Sequence, residues 1–390
     1  MRHLNPTTRV SVSTDVGGRI MIVEKPGLRA TTFRGDGRAA HIEHTRTDGT
    51  RLVVERSRSN IRYVEAIRPG GVRIVTIGSR GFVERPYGRG LVARTYVVGG
   101  RSEVRVYRMS MYRNVQYTHY VPRVVYAPAF YGWAVRPWRE PVRYAWAPVP
   151  VAYVGYYAPE PRYSSASLWL TDFMMAENLR MAYESGRAAG EQENYQDMAP
   201  SNAPMTREVK SMVADQVAQQ IEVEQLAAVT PAGQTRADEG LPAALDPKNH
   251  VFVVSSNLDV TSRRDGAECT LSAGDVIERR SDTASADGKV DVAILSAKDA
   301  NCSTSFETAI DVAALQDMHN QFREQIAAGL RKLADNSGAE GLPVSPQANA
   351  KVVAEGQAPP DEQAGALLTA QFTQADQSEE EVRLASDSAI

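Results

Sequence analysis

The sequence predicts a β-rich α+β protein in several parts: an N-terminal antiparallel β meander, central helices, a small SH3-like β module with a long helix, and a disordered tail. Three observations carry this. Short β-branched and aromatic runs recur roughly every ten residues across 8–126, with Gly-containing turn signals between them. Over 164–228, and again over Leu315–Leu333, apolar residues recur three and four apart on helical spacing. Beyond 338, the chain is poor in aromatics and rich in Ala, Gln, Glu, Asp and Pro.

In chain order, the expected strands are Arg9–Ser13, Arg19–Glu24, Leu28–Phe33, Ala39–His44, Arg51–Glu55, Arg62–Ala66, Val72–Ile77, Val92–Val98, Glu103–Met109 and Val115–Val121. Pro26-Gly27, Asp48-Gly49 and Pro69-Gly70-Gly71 supply the positive-φ positions of tight hairpins. Alternation such as Glu103-Val104-Arg105-Val106-Tyr107 fits a sheet with one buried face and one solvated, arginine-studded face.

Residues 127–163 interleave Tyr, Trp and Pro, and eight of the 21 prolines lie between Pro122 and Pro161. Proline disfavours regular helix and central strand, so an extended or irregular segment is expected, its rings packed on the protein's own sheet. The helical region, 164–228, holds one helix capped by Ser167 and running to about Ala188. A second starts at Thr206 and carries Val209, Val213, Val217 and Ile221 along one side. Polar stretches at 189–205 and 228–247 read as linkers.

Residues 248–337 read as the SH3-like module: short strands, the turn Ser272-Ala273-Gly274-Asp275, and a helix with Leu315, Met318, Phe322, Ile326, Leu330 and Leu333 on one face, ended near Gly338. Residues 338–390 form the expected disordered acidic tail.

Charge is segregated. Residues 1–150 carry 26 Lys+Arg against 10 Asp+Glu, a balance of +16, and the remainder carries −19. Every cation of that first stretch except Lys25 is arginine, the side chain suited to bidentate anion contacts and to stacking on aromatic faces. Such asymmetry points to a polyanionic partner or to attraction between the two halves.

No run approaches the roughly 18 apolar residues of a membrane-spanning helix, so no membrane span is expected. Met1-Arg2-His3-Leu4-Asn5-Pro6 has no apolar run behind its positive charge, so no export signal is visible.

Cys269 and Cys302 are the two cysteines. A disulfide between them is expected if the protein is exported, and a pair of buried free thiols if it is cytosolic. His41 and His44, three apart on one expected strand, point to opposite faces. HExxH, GxSxG, GxxxxGK[ST] and GxGxxG do not occur, and no nucleophile–base pair stands out. No catalytic residue, metal site or small-molecule cofactor is therefore expected.

The one constellation with binding chemistry is the arginine and aromatic content of Arg101–Arg143. Candidate polyanion- and aromatic-binding residues are Arg101, Arg105, Arg108, Arg113, Arg123, Tyr107, Tyr112, Tyr131, Trp133 and Trp138. Guanidinium groups neutralise phosphates or uronates, and ring faces stack on bases or sugars. The competing structural reading is that Arg and Tyr ladders stabilise the sheet by cross-strand pairing.

Four segments carry a resemblance: Arg94-Thr95-Tyr96-Val97-Val98-Gly99-Gly100, Ala127-Pro128-Ala129-Phe130-Tyr131-Gly132-Trp133, Leu168-Trp169-Leu170-Thr171-Asp172 and Leu315–Gln325. In this order they are similar to an uncharacterised family of bacterial proteins, typically exported. The resemblance implies an envelope or periplasmic location and no particular activity; an N-terminal signal, usual in members, is not seen here.

The leading expectation is a non-catalytic, envelope-associated structural or interaction protein that binds a polyanionic envelope polymer or another protein, with possible self-association through apolar helix faces. The alternative is a cytosolic nucleic-acid-binding protein whose acidic tail competes for its basic sheet. A cryptic hydrolase is the distant third.

Overall fold

The computed structural model describes residues 2–389 apart from 6–8, 18, 34–37, 58–61, 79, 99, 189–200, 202, 230–240 and 305. The protein is mixed α+β. Among the described residues it has five α-helices: α1 (Pro128–Val135), α2 (Ala166–Ala188), α3 (Arg207–Val229), α4 (Val312–Asp335) and α5 (Ala364–Ala389). The chain forms two compact units, one of Met1–Val104 with Ser185–Glu191 and Ala358–Ile390, the other of Arg105–Glu184 with Gln192–Gln357.

The first unit is the expected meander. Its strands are β1 (Arg2–Asn5), β2 (Val10–Thr14), β3 (Ile20–Lys25), β4 (Leu28–Phe33), β5 (Ala39–Thr45), β6 (Arg51–Arg56), β7 (Arg62–Ile67), β8 (Arg73–Ile77), β9 (Arg80–Gly88) and β10 (Leu91–Val98). Each pairs antiparallel with the next. β1 and β9 were not among the expected strands. In β9, Gly81 and Pro86 interrupt the β pattern; Pro86 sits where the β9–β10 register shifts, a place that tolerates a missing N–H.

Side chains on one face alternate inward at period two: Val10 and Val12, Val23, Leu28 and Ala30, Ile42, Leu52 and Val54, Val64 and Ala66, Ile74, Val83. Helix α5 covers this face. At 1.5 Å per residue it is about 39 Å long, close to the roughly 43 Å width of ten strands at 4.8 Å spacing, so it can run across them. Its contacts follow the strands in reverse order. The Asp361 N–H, just before the helix, donates to Thr95 Oγ1 of β10 (3.0 Å), Gln371 Nε2 donates to Val64 O (2.7 Å) and Ile74 O (3.0 Å), and Lys25 of β3 meets Glu381 (2.7 Å).

The expectation of a disordered tail over 338–390 is therefore overturned. Ala364, Leu368, Gln371, Ala375, Ser378, Val382 and Ala385 lie four and three apart and are all buried. The stripe is mostly small or polar, so it carries little hydrophobic signal. It fits because the sheet beneath already supplies the bulky β-branched groups. Gly81 marks the close approach: a Cβ there would meet Leu368 Cδ2 at 2.6 Å.

The second unit opens on the hairpin of β11 (Arg101–Tyr112, which begins in the first unit) and β12 (Val115–Val121). Helix α4 supplies hydrogen bonds to backbone groups of β12. Tyr120 N–H donates to Asn320 Oδ1 (2.9 Å), while Thr118 O accepts from Asn320 Nδ2 (2.7 Å) and Gln316 Nε2 (3.1 Å). Arg323 Nη1 donates to Tyr120 O (2.8 Å). Residues 316, 320 and 323 share one helix face, so their side chains do for this strand what a neighbouring strand would do.

Two-residue β13 (Val124–Val125) leads into α1, and β14 (Pro137–Val142) pairs with β15 (Tyr163–Ser165). Within 127–163, expected to be extended or irregular, the helix α1 is thus a correction. Pro128 is accepted at the start of α1, where its missing N–H has no partner to lose. Phe130, Tyr131, Tyr153, Tyr156, Tyr157, Tyr163 and Trp169 form one core with Leu170, Met174, Val213, Ile221, Phe322 and Ile326 of α2, α3 and α4. Ser165, not Ser167, caps α2, its Oγ accepting from Leu168 N–H (3.3 Å), while Thr206 caps α3 through Val209 N–H (3.3 Å). Most of both expected linkers lies outside the described residues.

The small β module holds β16 (Val251–Val253), β17 (Leu258–Thr261), β18 (Glu268–Leu271), β19 (Val276–Arg279), β20 (Lys289–Ser296) and β21 (Glu307–Asp311). β16-β19-β20-β21 form one sheet and β17-β18 a second. β22 (Lys351–Val352) pairs with β13. In the turn before β19, Gly274 takes φ +96°, and the buried Asp275 carboxylate accepts from Ser272 N–H (2.7 Å) and pairs with Lys298. Burial pushes Asp275 up and Lys298 down, and each opposes the shift of the other.

Cys269 and Cys302 stand with Cα atoms 5.4 Å apart, at disulfide distance, inside the module's core. Closing this 33-residue separation is worth about 3–4 kcal/mol by loop entropy. Denaturant unfolding of Cys269→Ala/Cys302→Ala against oxidised wild type is expected to show a loss of that order, and reductant should reproduce it. Equal midpoints in all three would show that the link contributes nothing.

Buried His319 on α4 is held down to about 3 by burial and by the nearby Arg323 and His119. It stays neutral in the fold while the unfolded chain protonates near 6.5, so stability falls as pH drops below about 6.5, by up to about 1.4 kcal/mol per unit until about pH 3. His319→Gln is expected to flatten that acid limb in unfolding midpoints taken across pH; an unchanged slope would place the proton elsewhere.

Candidate functional site

Several arginines of the first unit pair with carboxylates, among them Arg56, Arg62, Arg73, Arg85 and Arg94. Glu84 on β9 lies opposite both Arg73 of β8 and Arg94 of β10 in register, and Arg94 Nε reaches it at 2.6 Å. The Arg94 guanidinium also lies over the Phe82 ring at 4.8 Å, and Phe82 meets Tyr96 at 5.3 Å. Such ladders stabilise neighbouring strands. On the helix-covered face Arg56 meets Glu379 (2.7 Å), Arg62 meets Asp376, and Arg85 meets Asp361 (2.6 Å).

The sequence-predicted candidates in the second unit are dispersed. Arg105 and the buried Tyr107 both engage Glu324 of α4, and Arg108 pairs with Glu355 (2.5 Å). Arg113 sits in the β11–β12 turn over the Tyr112 ring (5.3 Å) and donates to Ala284 O (3.0 Å). Arg123 is exposed, as is Arg101 at the start of β11. Tyr131 is buried, its hydroxyl accepts from Tyr126 N–H (3.3 Å), and burial pushes its pKa up.

Trp133 and Trp138 are brought together. Their rings stack 5.7 Å apart at 25°, and Phe130 stacks on Trp133 at 5.6 Å and 29°. Helix α1 presents Trp133; β14, entered through Pro137, presents Trp138. An open cleft of 990 Å³ lies against them, walled on one side by Pro343-Val344-Ser345-Pro346 and on another by Gln225 of α3. Gln225 is held in place by donating to Pro128 O (3.2 Å).

Arg136, Arg139 and Glu140 also line the cleft, and all three are exposed. Among the described residues neither Arg136 nor Arg139 has an ion-pair partner. The Trp138 indole N–H, although buried, has no acceptor among the described residues. The candidate site is therefore an open cleft beside the stacked Phe130, Trp133 and Trp138 rings, lined by two exposed guanidinium groups, one carboxylate and one amide.

Arg136, Arg139, Glu140 and Gln225 were not among the candidates read from sequence. The available signal was the run Arg136-Pro137-Trp138-Arg139-Glu140-Pro141, a tryptophan bracketed by both prolines and charges; nothing local pointed to Gln225 or Ser345.

The buried ionic cluster beside the aromatic core is a scaffold for it. Asp172 of α2 accepts from Tyr157 Oη (2.7 Å), Tyr163 Oη (2.6 Å) and Glu160 N–H (2.6 Å), and Lys210 Nζ lies 3.3 Å away. Trp146 Nε1 donates to Tyr163 Oη (2.6 Å). Burial and the Asp172 charge push Tyr157 and Tyr163 well up, so both remain protonated donors. Each of these groups is engaged inside the fold, and none lines the cleft. Among the described residues no group of three or more His, Cys, Asp or Glu could hold a metal ion.

No protein-family model, curated protein or solved structure matches this chain.

Asp172→Asn keeps the shape of the carboxylate and removes the charge opposite a buried lysine. A loss of about 3–5 kcal/mol is expected, as for breaking one side of a buried ion pair, together with loosened near-UV signals from the tyrosines it holds. Chemical unfolding with near-UV circular dichroism measures both; a change under 1 kcal/mol would mean that Asp172 does not organise this core.

Proposed function

We propose that the protein is a non-catalytic, envelope-associated interaction protein that binds a polyanionic partner through the Trp133–Trp138 cleft. The observation that carries this is a contrast between arginines. Arg56, Arg62, Arg85 and Arg94 of the meander and Arg105 of β11 pair with carboxylates of their own chain, whereas Arg136 and Arg139 stand exposed at an aromatic-lined cleft with no ion-pair partner among the described residues. A guanidinium without an internal counter-charge retains its full attraction for an external anion, and a stacked indole adds contact area. The Cys269–Cys302 geometry supports an oxidising location.

The cytosolic alternative, a nucleic-acid binder restrained by its own acidic tail, has one observation in its favour: Asp376, Glu379 and Glu381 lie on cations of the sheet. The same helix buries Leu368, Val382 and Ala375 against the meander. Its release would expose an apolar face, which makes α5 a part of the core more than a competitor.

Binding to a mixed panel of acidic polymers is expected to weaken roughly tenfold between about 50 and 200 mM salt, as for a ligand neutralised by two cations. Arg136→Ala/Arg139→Ala should abolish most of that binding and its salt dependence while leaving the melting temperature unchanged. Salt-independent binding, or wild-type affinity in the double variant, would remove the cleft from this role.

A further inference from the structure

We infer that α5 is an exchangeable cover, and that the sheet face beneath it also takes the α5 of a second copy of this chain, giving a dimer with swapped C-terminal helices.

The contact between α5 and the meander is made to separate as a unit. Among the buried residues of α5 only Leu368 and Val382 are large and apolar; the others are alanine, serine and glutamine. Hydrophobic attraction follows apolar area, so this stripe holds weakly for its length. Four buried side-chain atoms at the same contact have no hydrogen-bond partner among the described residues. They are Gln371 Oε1 and Gln374 Oε1 of the helix, Thr76 Oγ1 of β8, and Nη1 of Arg46, whose Nη2 donates to Gln377 of the helix (3.1 Å). Each is a cost while the helix is seated and regains water when it leaves. What offsets that cost is ionic: Lys25–Glu381 (2.7 Å), Arg56–Glu379 (2.7 Å) and Arg62–Asp376. Salt weakens such pairs.

Release alone would leave Val12, Ile42, Leu52 and Ile74 of the sheet bare, so whatever replaces α5 must bury the same stripe and return the same charges. The α5 of a second copy does both by identity.

The course of the chain favours that exchange. The sheet of Met1–Val104 and the helix within Ala358–Ile390 form one unit, while the chain leading into α5 belongs to the other. Only residues 357–360 separate the turn Ala354–Gly356 from Asp361, which is anchored on the sheet through Thr95 and Arg85. Two of those four are Pro359 and Pro360, which fix φ and disfavour a compact turn in the residue before them. A short, stiff hinge of this kind favours handing an element to a neighbouring copy. The two closures share every contact of α5, so hinge and protein concentration set the balance between them.

Two full-length chains test this. One carries Arg56→Glu/Arg62→Glu and so reverses the charges of the sheet. The other carries Asp376→Arg/Glu379→Arg and reverses those of the helix. Each is mismatched with its own α5. Swapped between the two chains, both contacts are again opposite in sign, reversed sheet to reversed helix and native sheet to native helix. Light scattering after gel filtration is expected to show a monomer for each chain alone and a dimer of twice that mass for the equimolar mixture. A monomeric mixture of chains that keep the wild-type far-UV spectrum would overturn the exchange, as would a dimer formed by either chain alone.

Wild type supplies a measurement that does not depend on those variants folding. Isotopically heavy and light chains are mixed in about 1 M salt, where the Debye length falls to about 3 Å, and returned to about 0.1 M. Native mass spectrometry is expected to show heavy–light dimers in a fraction that rises with protein concentration. Recovery of monomers only would overturn the proposal.

Discussion

A β-sheet leaves an apolar face and two backbone edges in need of cover, and meeting that requirement with single helices is the constraint on which this structure turns. In one unit, α5 lies across the face of a ten-stranded meander and gives it a core. In the other, α4 uses Gln316, Asn320 and Arg323 to occupy backbone groups of β12. Remove the helix from either and the strands keep their local pairing but lose what makes it worth forming: burial in the first case, hydrogen-bond satisfaction in the second.

The segregation of charge follows from the same arrangement. A basic sheet and an acidic helix that must lie on it are a complementary pair, and partly buried contacts such as Arg56–Glu379 are screened less than surface pairs. They also set direction, since Asp376 meets Arg62 of β7, Glu379 meets Arg56 of β6 and Glu381 meets Lys25 of β3. The +16 of the first 150 residues is thus in good part an internal matter. Arg136 and Arg139, around Trp138, lie outside this arrangement, exposed and with no ion-pair partner among the described residues.

The meander was the most legible part of the sequence, because turn glycines and period-two alternation are local signals. The α3 face was equally plain: Val209, Val213, Val217 and Ile221 are all buried. Of the candidate site, Trp133 and Trp138 were visible from composition, whereas Gln225 reaches it from 87 residues beyond Trp138, a distance no local pattern records. Arg105, Arg108 and Tyr107 were visible as a cluster of binding types, but each is engaged by an acid of its own chain over 200 residues away.

By itself the sequence determined most strands of the meander and the helices α2, α3 and α4, since those choices depend on side chains a few residues apart. It also determined that the two halves carry opposite charge. Only the tertiary structure decided where the charges meet, which arginines remain uncommitted, and that the acidic tail is a helix at all. The reason is the same in each case. The stripe Ala364–Ala385 is too small and polar to order itself, and becomes a core face only when a sheet of valine, leucine and isoleucine is already there to receive it.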